Sequence, residues 1–564
     1  MKFCEFSYRR PDIKEVEKQF ARLLQAFTEA QSYQEQDQRM KEINGLREEF
    51  ESMKEIVGIR HTIDTTDEFY TGEQDFLDEV QPIYEGLVAK YYDALCRSKF
   101  RGELEQKWGR QLFRLAELTV KTFSPEIIED LQRENKLTSE YEALLASASI
   151  LFECEERNLS QLLPFQQSRD RQMRKKAYEA RFAFLQSKEE KLDGIYDQLV
   201  KVRTEIAKKL GYSSFVELGY ARMKRTDYDA VMTARFRKQI EEYIVPLAEA
   251  LKERQRKRLG LETLYYYDEV FNFSTGNALP KGDAQWILDQ TQRMYGELSP
   301  ETEEFFRFMV EGQLMDLVSK KGKAGGGYCT YIGKYKAPFI FSNFSGTAYD
   351  IDVMTHEAGH AFQAYTSRHY EVSEYAFPTY EACEIHSTAM EFFAWPWMEL
   401  FFGEDGDKYR FSHLTEMLTF MPYAAAVDEF QHVIYESPEL TQKERKQAWR
   451  DIEKKYLPSK NYEQNSYLEE GGFWQQQGHI FEDPFYYIDY ALAQICALQF
   501  WKKSNSGDEE AWEDYIRLCK EGGSKSFLEL VEVAKLVSPF EKGCIQSVLA
   551  DIEKWLDSVD DSQL

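Results

Sequence analysis

Two of the eight histidines in this chain of 564 residues, His356 and His360, stand four positions apart in the stretch MTHEAGHAFQAY. Four residues advance an α-helix by slightly more than one turn, so both imidazoles project from nearly the same face. Ring nitrogens placed in this way can hold one metal ion, and Glu357 between them can reach a water molecule at that ion. The H-E-x-x-H spacing therefore predicts a hydrolytic zinc site.

A catalytic zinc site needs a third protein ligand and one position open to water. A third histidine further along the same helix is excluded, because Thr366 stands at its position. The segment FPTYEACEIHSTAMEFFAW, residues 377–395, offers Glu381, Glu384 and Glu391 at spacings that predict one shared helix face. Such a face is costly to bury unless it meets a cation, and the alternative is a solvent-facing acidic stripe. The residue types alone do not choose between Glu381 and Glu384.

The element that carries the two histidines is predicted to be a helix. No proline occurs from Tyr349 to Thr366, and Thr347 with Asp350 has the spacing of a capping box at its start. Gly359 costs about 1 kcal/mol inside a helix relative to alanine. Its presence therefore predicts that another element packs closely against that turn.

The segment upstream of this helix predicts β-strands. Residues 325–327 are three consecutive glycines, which disfavour a helix, and the following YCTYI and APFIFSNF are rich in aromatic and β-branched residues. The glycines do not have the spacing of a phosphate-binding loop, so nucleotide binding is not predicted.

The stretches HEAGHAFQ and EACEIHSTAME together resemble the thimet oligopeptidase and oligoendopeptidase F family of zinc peptidases. The upstream GKAGGGYCTYIGKYKAPFIFSNFSGTAYD and the downstream GHIFEDPFYYIDYALAQ resemble the oligoendopeptidase F branch, and the likeness extends over about residues 201–549. The resemblance implies one zinc ion per chain, held by His356, His360 and Glu384. It therefore selects Glu384 over Glu381.

The resemblance also implies roles for neighbouring residues. Glu357 would be the general base and Glu391 a support for the ligands, and the strand around Phe339–Phe344 would offer a free edge to an extended substrate. The stretch HIFEDPFYYIDY contains the remaining candidates, with His479 and Tyr490 expected to stabilise the oxyanion, and Tyr486 and Tyr487 expected to bind substrate. The alternative for these tyrosines is simple packing, because the chain has 35 of them.

The rest of the chain predicts a mostly α-helical fold. From Ile13, IKEVEKQFARLLQAF places Val16, Phe20, Leu23, Leu24 and Phe27 on one stripe. With the resemblance, we expect two helical lobes around a deep substrate channel, with a small β-sheet next to the zinc helix. The expected division is an N-terminal helical lobe over residues 1–190 and a zinc peptidase catalytic region over residues 191–564.

Composition excludes several classes of partner. The net charge of −27 disfavours nucleic acid, and the one basic run, KERQRKRLG at residues 252–260, is predicted to be a solvated face. No apolar stretch approaches 18 residues, so no membrane span is predicted. The first twenty residues carry charges throughout and predict no secretory signal. No obligate protein partner is indicated.

The eight cysteines are scattered without a C-x-x-C pair, which predicts reduced, buried thiols in a cytoplasmic protein. Cys383, beside Glu384, is predicted to be a packed residue rather than a ligand. The other histidines are assigned to packing, with His386 expected on another side of its helix: His61, His369, His386, His413 and His432.

Three functions are compatible with these patterns. The favoured one is a zinc endopeptidase that hydrolyses short, unstructured oligopeptides. A zinc exopeptidase of the dipeptidyl carboxypeptidase type would share the metal site but needs a cation to hold the substrate's C-terminal carboxylate. A non-catalytic helical binding protein is disfavoured, because a structural zinc site usually has four ligands and here Glu357 is present.

Overall fold

A computed structural model describes residues 1–564. Helices dominate, as predicted, and no helix is both long and apolar enough to cross a membrane. The first nine helices are α1 (Ile13–Glu29), α2 (Tyr33–Ile63), α3 (Glu68–Cys96), α4 (Arg101–Trp108), α5 (Arg110–Thr122), α6 (Ile128–Ala146), α7 (Leu163–Gln166), α8 (Arg171–Ser187) and α9 (Glu189–Lys209).

The later helices surround the region of the two histidines. They are α10 (Phe215–Arg222), α11 (Ala230–Gln239), α12 (Val245–Arg258), α13 (Ala284–Leu298), α14 (Pro300–Glu311), α15 (Tyr349–Ser367), α16 (Tyr380–Phe393), α17 (Met398–Phe402), α18 (Gly406–Glu436), α19 (Gln442–Tyr456), α20 (Ser466–Glu469), α21 (Gly478–Phe481), α22 (Tyr487–Asn505), α23 (Ala511–Glu521), α24 (Phe527–Val533) and α25 (Cys544–Ser558). The strands are β1 (Ile150–Phe152), β2 (Glu155–Arg157), β3 (Met315–Val318), β4 (Tyr328–Ile332) and β5 (Ala337–Phe344).

Helix α1 shows how local sequence starts these elements. The Asp12 carboxylate accepts hydrogen bonds from the Lys14 and Glu15 amides, which satisfies two of the free N–H groups at the helix start. Phe20 and Phe27 of the predicted stripe are fully buried, which confirms its direction. Helices α1–α5 build most of a smaller hydrophobic cluster, whereas the main core takes in residues from α6 to α25. The division at residue 190 stays a prediction.

The sheet confirms both predicted strands and corrects the position of its edge. Strand β5 is central, with β3 parallel on one side and β4 antiparallel on the other. The prediction of a free edge at Phe339–Phe344 was therefore wrong, because β3, which the sequence did not reveal, pairs with that strand. The free edge beside the site belongs to β4.

Helix α15 starts differently from the prediction. Its N-cap is Ala348, without a side-chain hydrogen bond, so the capping box of Thr347 and Asp350 does not form. The Asp350 carboxylate instead accepts from the amides of Ser345, at 2.8 Å, and Gly346, at 2.7 Å, because the loop folds back over the first turn.

The close packing predicted at Gly359 is confirmed. A Cβ at this position would lie 2.6 Å from the carbonyl oxygen of His386 on α16. Glycine therefore lets α15 and α16 approach closely, which is what brings their side chains together.

Two further predictions need correction. The basic run is a solvated face only in part: Lys257 is exposed, but Lys252 is only 9% exposed and Arg254 and Arg258 both bind Asp561. All eight cysteines are free, but the predicted burial fails for the exposed Cys4 and Cys154.

Candidate metal centre

The close approach of α15 and α16 places two imidazoles around one carboxylate. His356 Nε2 lies 3.1 Å and His360 Nε2 lies 3.4 Å from Glu384 Oε2. Zinc bonds of about 2.0–2.2 Å in a tetrahedral site would separate neighbouring ligand atoms by about 3.3–3.6 Å. One donor atom from each residue lies within 4.8 Å of the others, so these side chains could hold a metal ion.

Glu384 and Glu381 have different surroundings on α16. Burial opposes ionisation of Glu384, but His360 and His356 hold the pKa of its carboxyl well below its usual range. Glu381 contacts no histidine; it accepts a hydrogen bond from Thr379 Oγ1 at 2.9 Å, and burial raises its pKa well above the usual value. Both are 1% exposed, so the alternative of a solvent-facing acidic stripe was wrong.

A chain of hydrogen bonds fixes the orientation of His356. Trp395 Nε1, which can only donate, lies 3.1 Å from His413 Nδ1, so the proton of a neutral His413 is on Nε2. That nitrogen donates to Glu391 Oε2 at 2.6 Å, and Glu391 Oε1 accepts from His356 Nδ1 at 2.7 Å. The Nε2 lone pair of His356 is thereby directed at the proposed metal position.

The contact of His413 with Glu391 was not predicted from the sequence, which assigned His413 to packing. It stands 22 residues beyond Glu391 on α18, so no helical spacing links the two. His386 lies where expected, fully buried with Nδ1 bonded to the Ala382 carbonyl.

Glu357 is held beside the histidines without a partner for one of its oxygens. The side chain is 6% exposed, and Oε2 is buried and makes no hydrogen bond within the chain. Burial raises the pKa of Glu357, while the adjacent His356 and His360 oppose that shift. A carboxylate with a raised pKa and a free oxygen is suited to accepting and returning a proton.

The opposite wall comes from the segment between α21 and α22. His479 Nε2 lies 3.1 Å from the Tyr490 hydroxyl, and the Tyr486 hydroxyl donates to Glu384. Burial lowers the pKa of His479 and raises that of Tyr490 well above its usual value, so both groups are neutral at pH 7. Tyr487 does not line the cavity and packs against Phe420.

These groups line a cavity of about 1000 Å³. Its walls come from distant parts of the chain, with Gln111 and Tyr141 on N-terminal helices and Tyr328 and Cys329 on β4. Cys383 also lines it but is 8% exposed and bonds to the Pro378 carbonyl, so it does not join the histidines.

The chain matches two protein-family models. Residues 165–548 match peptidase family M3, and residues 3–123 match the peptidase M3 N-terminal domain. Because the first match alone covers more than half of the chain, the protein belongs to peptidase family M3. The matches also extend further upstream than the motifs had indicated.

Two solved structures are similar to this chain over its full length. It is 65% identical to PZ peptidase A, solved with an inhibitor, with a TM-score of 0.99 and full coverage of both chains. A crystal structure from Bacillus anthracis str. Ames, described as an oligoendopeptidase F, is 58% identical over 100% of this chain and 99% of that one, with a TM-score of 0.95.

An oligoendopeptidase F homolog of Borreliella burgdorferi is 25% identical over 51% of this chain and 49% of its own length. A second homolog, from Mycoplasma genitalium, is 24% identical over 44% and 43%. The chain thus spans about half or less of these two relatives.

Proposed function

We propose that the protein is a zinc-dependent endopeptidase that hydrolyses short, unstructured oligopeptides. The observation that carries this proposal is the convergence of His356, His360 and Glu384 next to Glu357, with neutral hydrogen-bond donors on the opposite wall. Two imidazoles and one carboxylate are a donor set of hydrolytic zinc sites. The cytoplasmic location remains a prediction from the cysteines.

His356, His360 and Glu384 would hold the zinc ion. When bound in such a site, zinc lowers the pKa of a water molecule and draws negative charge from a carbonyl oxygen. Glu357 accepts a proton from the attacking water and returns it to the leaving amine, a role that its free Oε2 and raised pKa support.

Tyr490 and His479 would donate hydrogen bonds to the oxyanion that forms during attack. Donors fixed before the reaction stabilise such charge without reorganising in the transition state. Because the Tyr486 hydroxyl already donates to Glu384, we assign Tyr486 to orienting that carboxylate as well as to the substrate wall.

The substrate would bind in extended form along the free edge of β4. Tyr328 and Cys329 of this strand line the cavity, and backbone hydrogen bonds to an edge give affinity without requiring a particular sequence. The cavity volume of about 1000 Å³ suits flexible oligopeptides.

The proposal is tested by peptide cleavage and metal content together. Glu357→Gln should retain about one zinc per chain and lose about 10²–10⁴-fold in turnover, because the proton acceptor is removed and the shape is kept. Glu142→Gln, which alters another carboxylate lining the same cavity, is the matched control and should stay near wild type. A Glu357→Gln protein with a tenth of wild-type turnover would contradict the assignment.

A further inference from the structure

Two cations on the cavity wall lack a carboxylate partner, and only one of them, Arg181, is partly buried. Arg181 of α8 is half-buried and lines the cavity, and its only side-chain hydrogen bond runs from Nε to Gln476 Oε1 at 3.1 Å. Nη1 and Nη2 therefore have no partner within the chain. By contrast, the buried Arg203 and Arg225 each bind a carboxylate, Glu134 and Asp489 respectively.

The surroundings of Arg181 make this lack of a partner unusual. Burial lowers the pKa of its guanidinium, and the groups that offset this shift are the phenols of Tyr178, Tyr141 and Tyr423 rather than a carboxylate. A cation that is partly removed from water gains stability from an ionic partner. The planar guanidinium fits a carboxylate through two parallel hydrogen bonds, so the two free Nη groups have the geometry to receive one.

The other cavity cations are less suited to this role. Lys323 is 2% exposed and already bonded to the Asp316 carboxylate and to backbone carbonyls. Lys224 lines the cavity without an acidic partner, but it is exposed and hydrated. The cavity also holds the acids Glu142 and Glu482, neither of which forms an ion pair with Arg181, and burial raises the pKa of both carboxyls.

Arg181 is connected to the proposed reaction centre along one wall. Its partner Gln476 is followed by Gln477, whose Nε2 lies 2.9 Å from His479 Nδ1. His479 in turn contacts Tyr490. Because Arg181 and the proposed metal ligands line the same cavity, one extended peptide bound there could contact both.

We infer that Arg181 binds a carboxylate of the peptide substrate, at its C-terminus or on an acidic side chain, and thereby sets the distance from that anion to the cleaved bond. This inference rests on the proposed function and deepens it. Arg181 would be a specificity-determining residue, and it supplies the cation that an exopeptidase acting near a free C-terminus would require.

The test uses the zinc-loaded, full-length protein and quenched-fluorescence peptides of neutral sequence. One peptide carries a free C-terminal carboxylate, a second a C-terminal amide, and a third the amide with one Asp replacing Asn. A charge-assisted pair predicts that wild type prefers at least one of the two anionic peptides over the amide by about 10- to 100-fold in kcat/KM. Which peptide is preferred distinguishes the terminal carboxylate from the side chain.

Arg181→Gln should remove the preference by slowing the anionic peptide alone, whereas Arg181→Lys should retain part of it. Lys224→Gln, which removes the other unpaired cavity cation, is the matched control and should leave the preference intact. Equal cleavage of all three peptides by wild type would overturn the inference. So would equal slowing of all three by Arg181→Gln, since a residue that only fixes Gln476 would act in that way, or an equal effect of Lys224→Gln.

A binding measurement separates this inference from the proposed function. Anisotropy of the same labelled peptides on Glu357→Gln and on Glu357→Gln/Arg181→Gln reports affinity without turnover. If wild type cleaves none of the peptides but the carboxylate preference depends on Arg181 in binding, the proposed function fails and the inference stands. If peptides are cleaved and neither assay detects the preference, only the inference fails.

Discussion

Two buried carboxylates in this protein each lie between two nitrogen-bearing side chains, and they serve different ends. Glu134 of α6 accepts from Arg203 Nε at 2.6 Å and from Arg222 Nη1 at 2.9 Å. Glu384 of α16 lies at 3.1 and 3.4 Å from the Nε2 atoms of His356 and His360.

The difference lies in what each nitrogen can do. A guanidinium only donates hydrogen bonds and is always charged. Both oxygens of Glu134 accept from Arg203 or Arg222, and these bonds connect α6 to α9 and α10. A neutral imidazole presents a lone pair on one nitrogen, so the atoms around Glu384 can converge on a metal ion. Glu134 therefore needs no further partner, whereas Glu384 and the two imidazoles can together hold a metal ion.

The largest expected effect follows from removing the carboxylate of Glu384, which lies between the two histidines. Glu384→Ala should leave only two imidazoles, and bound zinc should fall from about one per chain to a small fraction after dialysis, with loss of all measurable peptide cleavage. Glu381→Gln, on the same helix and equally buried, should keep its zinc. Metal analysis of the purified variants decides the assignment. Equal loss of zinc in both variants, or loss of zinc in Glu381→Gln alone, would contradict it.

The second prediction concerns the donor that faces the metal centre. Tyr490→Phe deletes one hydroxyl and keeps the ring, so fold and zinc content should survive. A donor that acts only in the transition state lowers kcat rather than KM, here by about 10²–10³-fold. Tyr487→Phe is the matched control, because that ring packs outside the cavity. A Tyr490→Phe enzyme with near-normal kcat would remove Tyr490 from the reaction.

The features that could be predicted from the sequence are those carried by short segments. The spacing of His356 and His360 and the composition of β4 and β5 are local, and helix and strand geometry turn such patterns directly into neighbouring side chains. The choice of Glu384 over Glu381 needed the family resemblance, since the two residues were equivalent by spacing alone.

The features that the sequence did not reveal depend on distant segments. The central position of β5 follows from its pairing with β3, and the role of His413 follows from a helix crossing near Glu391. The capping box at Asp350 failed for a local reason, because its carboxylate accepts instead from the amides of Ser345 and Gly346 in the preceding loop.

The third prediction tests the long-range support of the metal ligands. His413→Leu removes the donor to Glu391, which then orients His356 less firmly. Loss of such a supporting bond should weaken zinc binding about 10- to 100-fold. His386→Leu, a buried histidine without a bond to a ligand side chain, is the control. Competition with a chromophoric chelator measures the zinc dissociation constant without relying on activity, and equal affinities in the two variants would make His413 a packing residue only.

The smallest expected effect is at Glu134, the carboxylate that is paired with two arginines. Burial opposes ionisation of Glu134, but Arg222 and Arg203 lower its pKa from 4.5 to about 2. A depressed folded-state pKa stabilises the fold above pH 4.5, and this contribution is lost progressively as the pH falls toward 2. Between pH 7 and pH 4 the loss should be about 1 kcal/mol.

Glu134→Gln removes this titration. The variant should have a lower free energy of unfolding than wild type at pH 7, since Arg203 loses its buried partner. At pH 4 the difference in unfolding free energy between the two proteins should be smaller by about 1 kcal/mol. Melting temperatures of both proteins, measured in chelator so that zinc release at low pH does not contribute, give the comparison. A difference that stays constant from pH 7 to pH 4 would show that Glu134 titrates alike in the folded and unfolded chains. Arg203 and Arg222 would then not stabilise the ionised form of Glu134, contrary to what their short distances to it indicate.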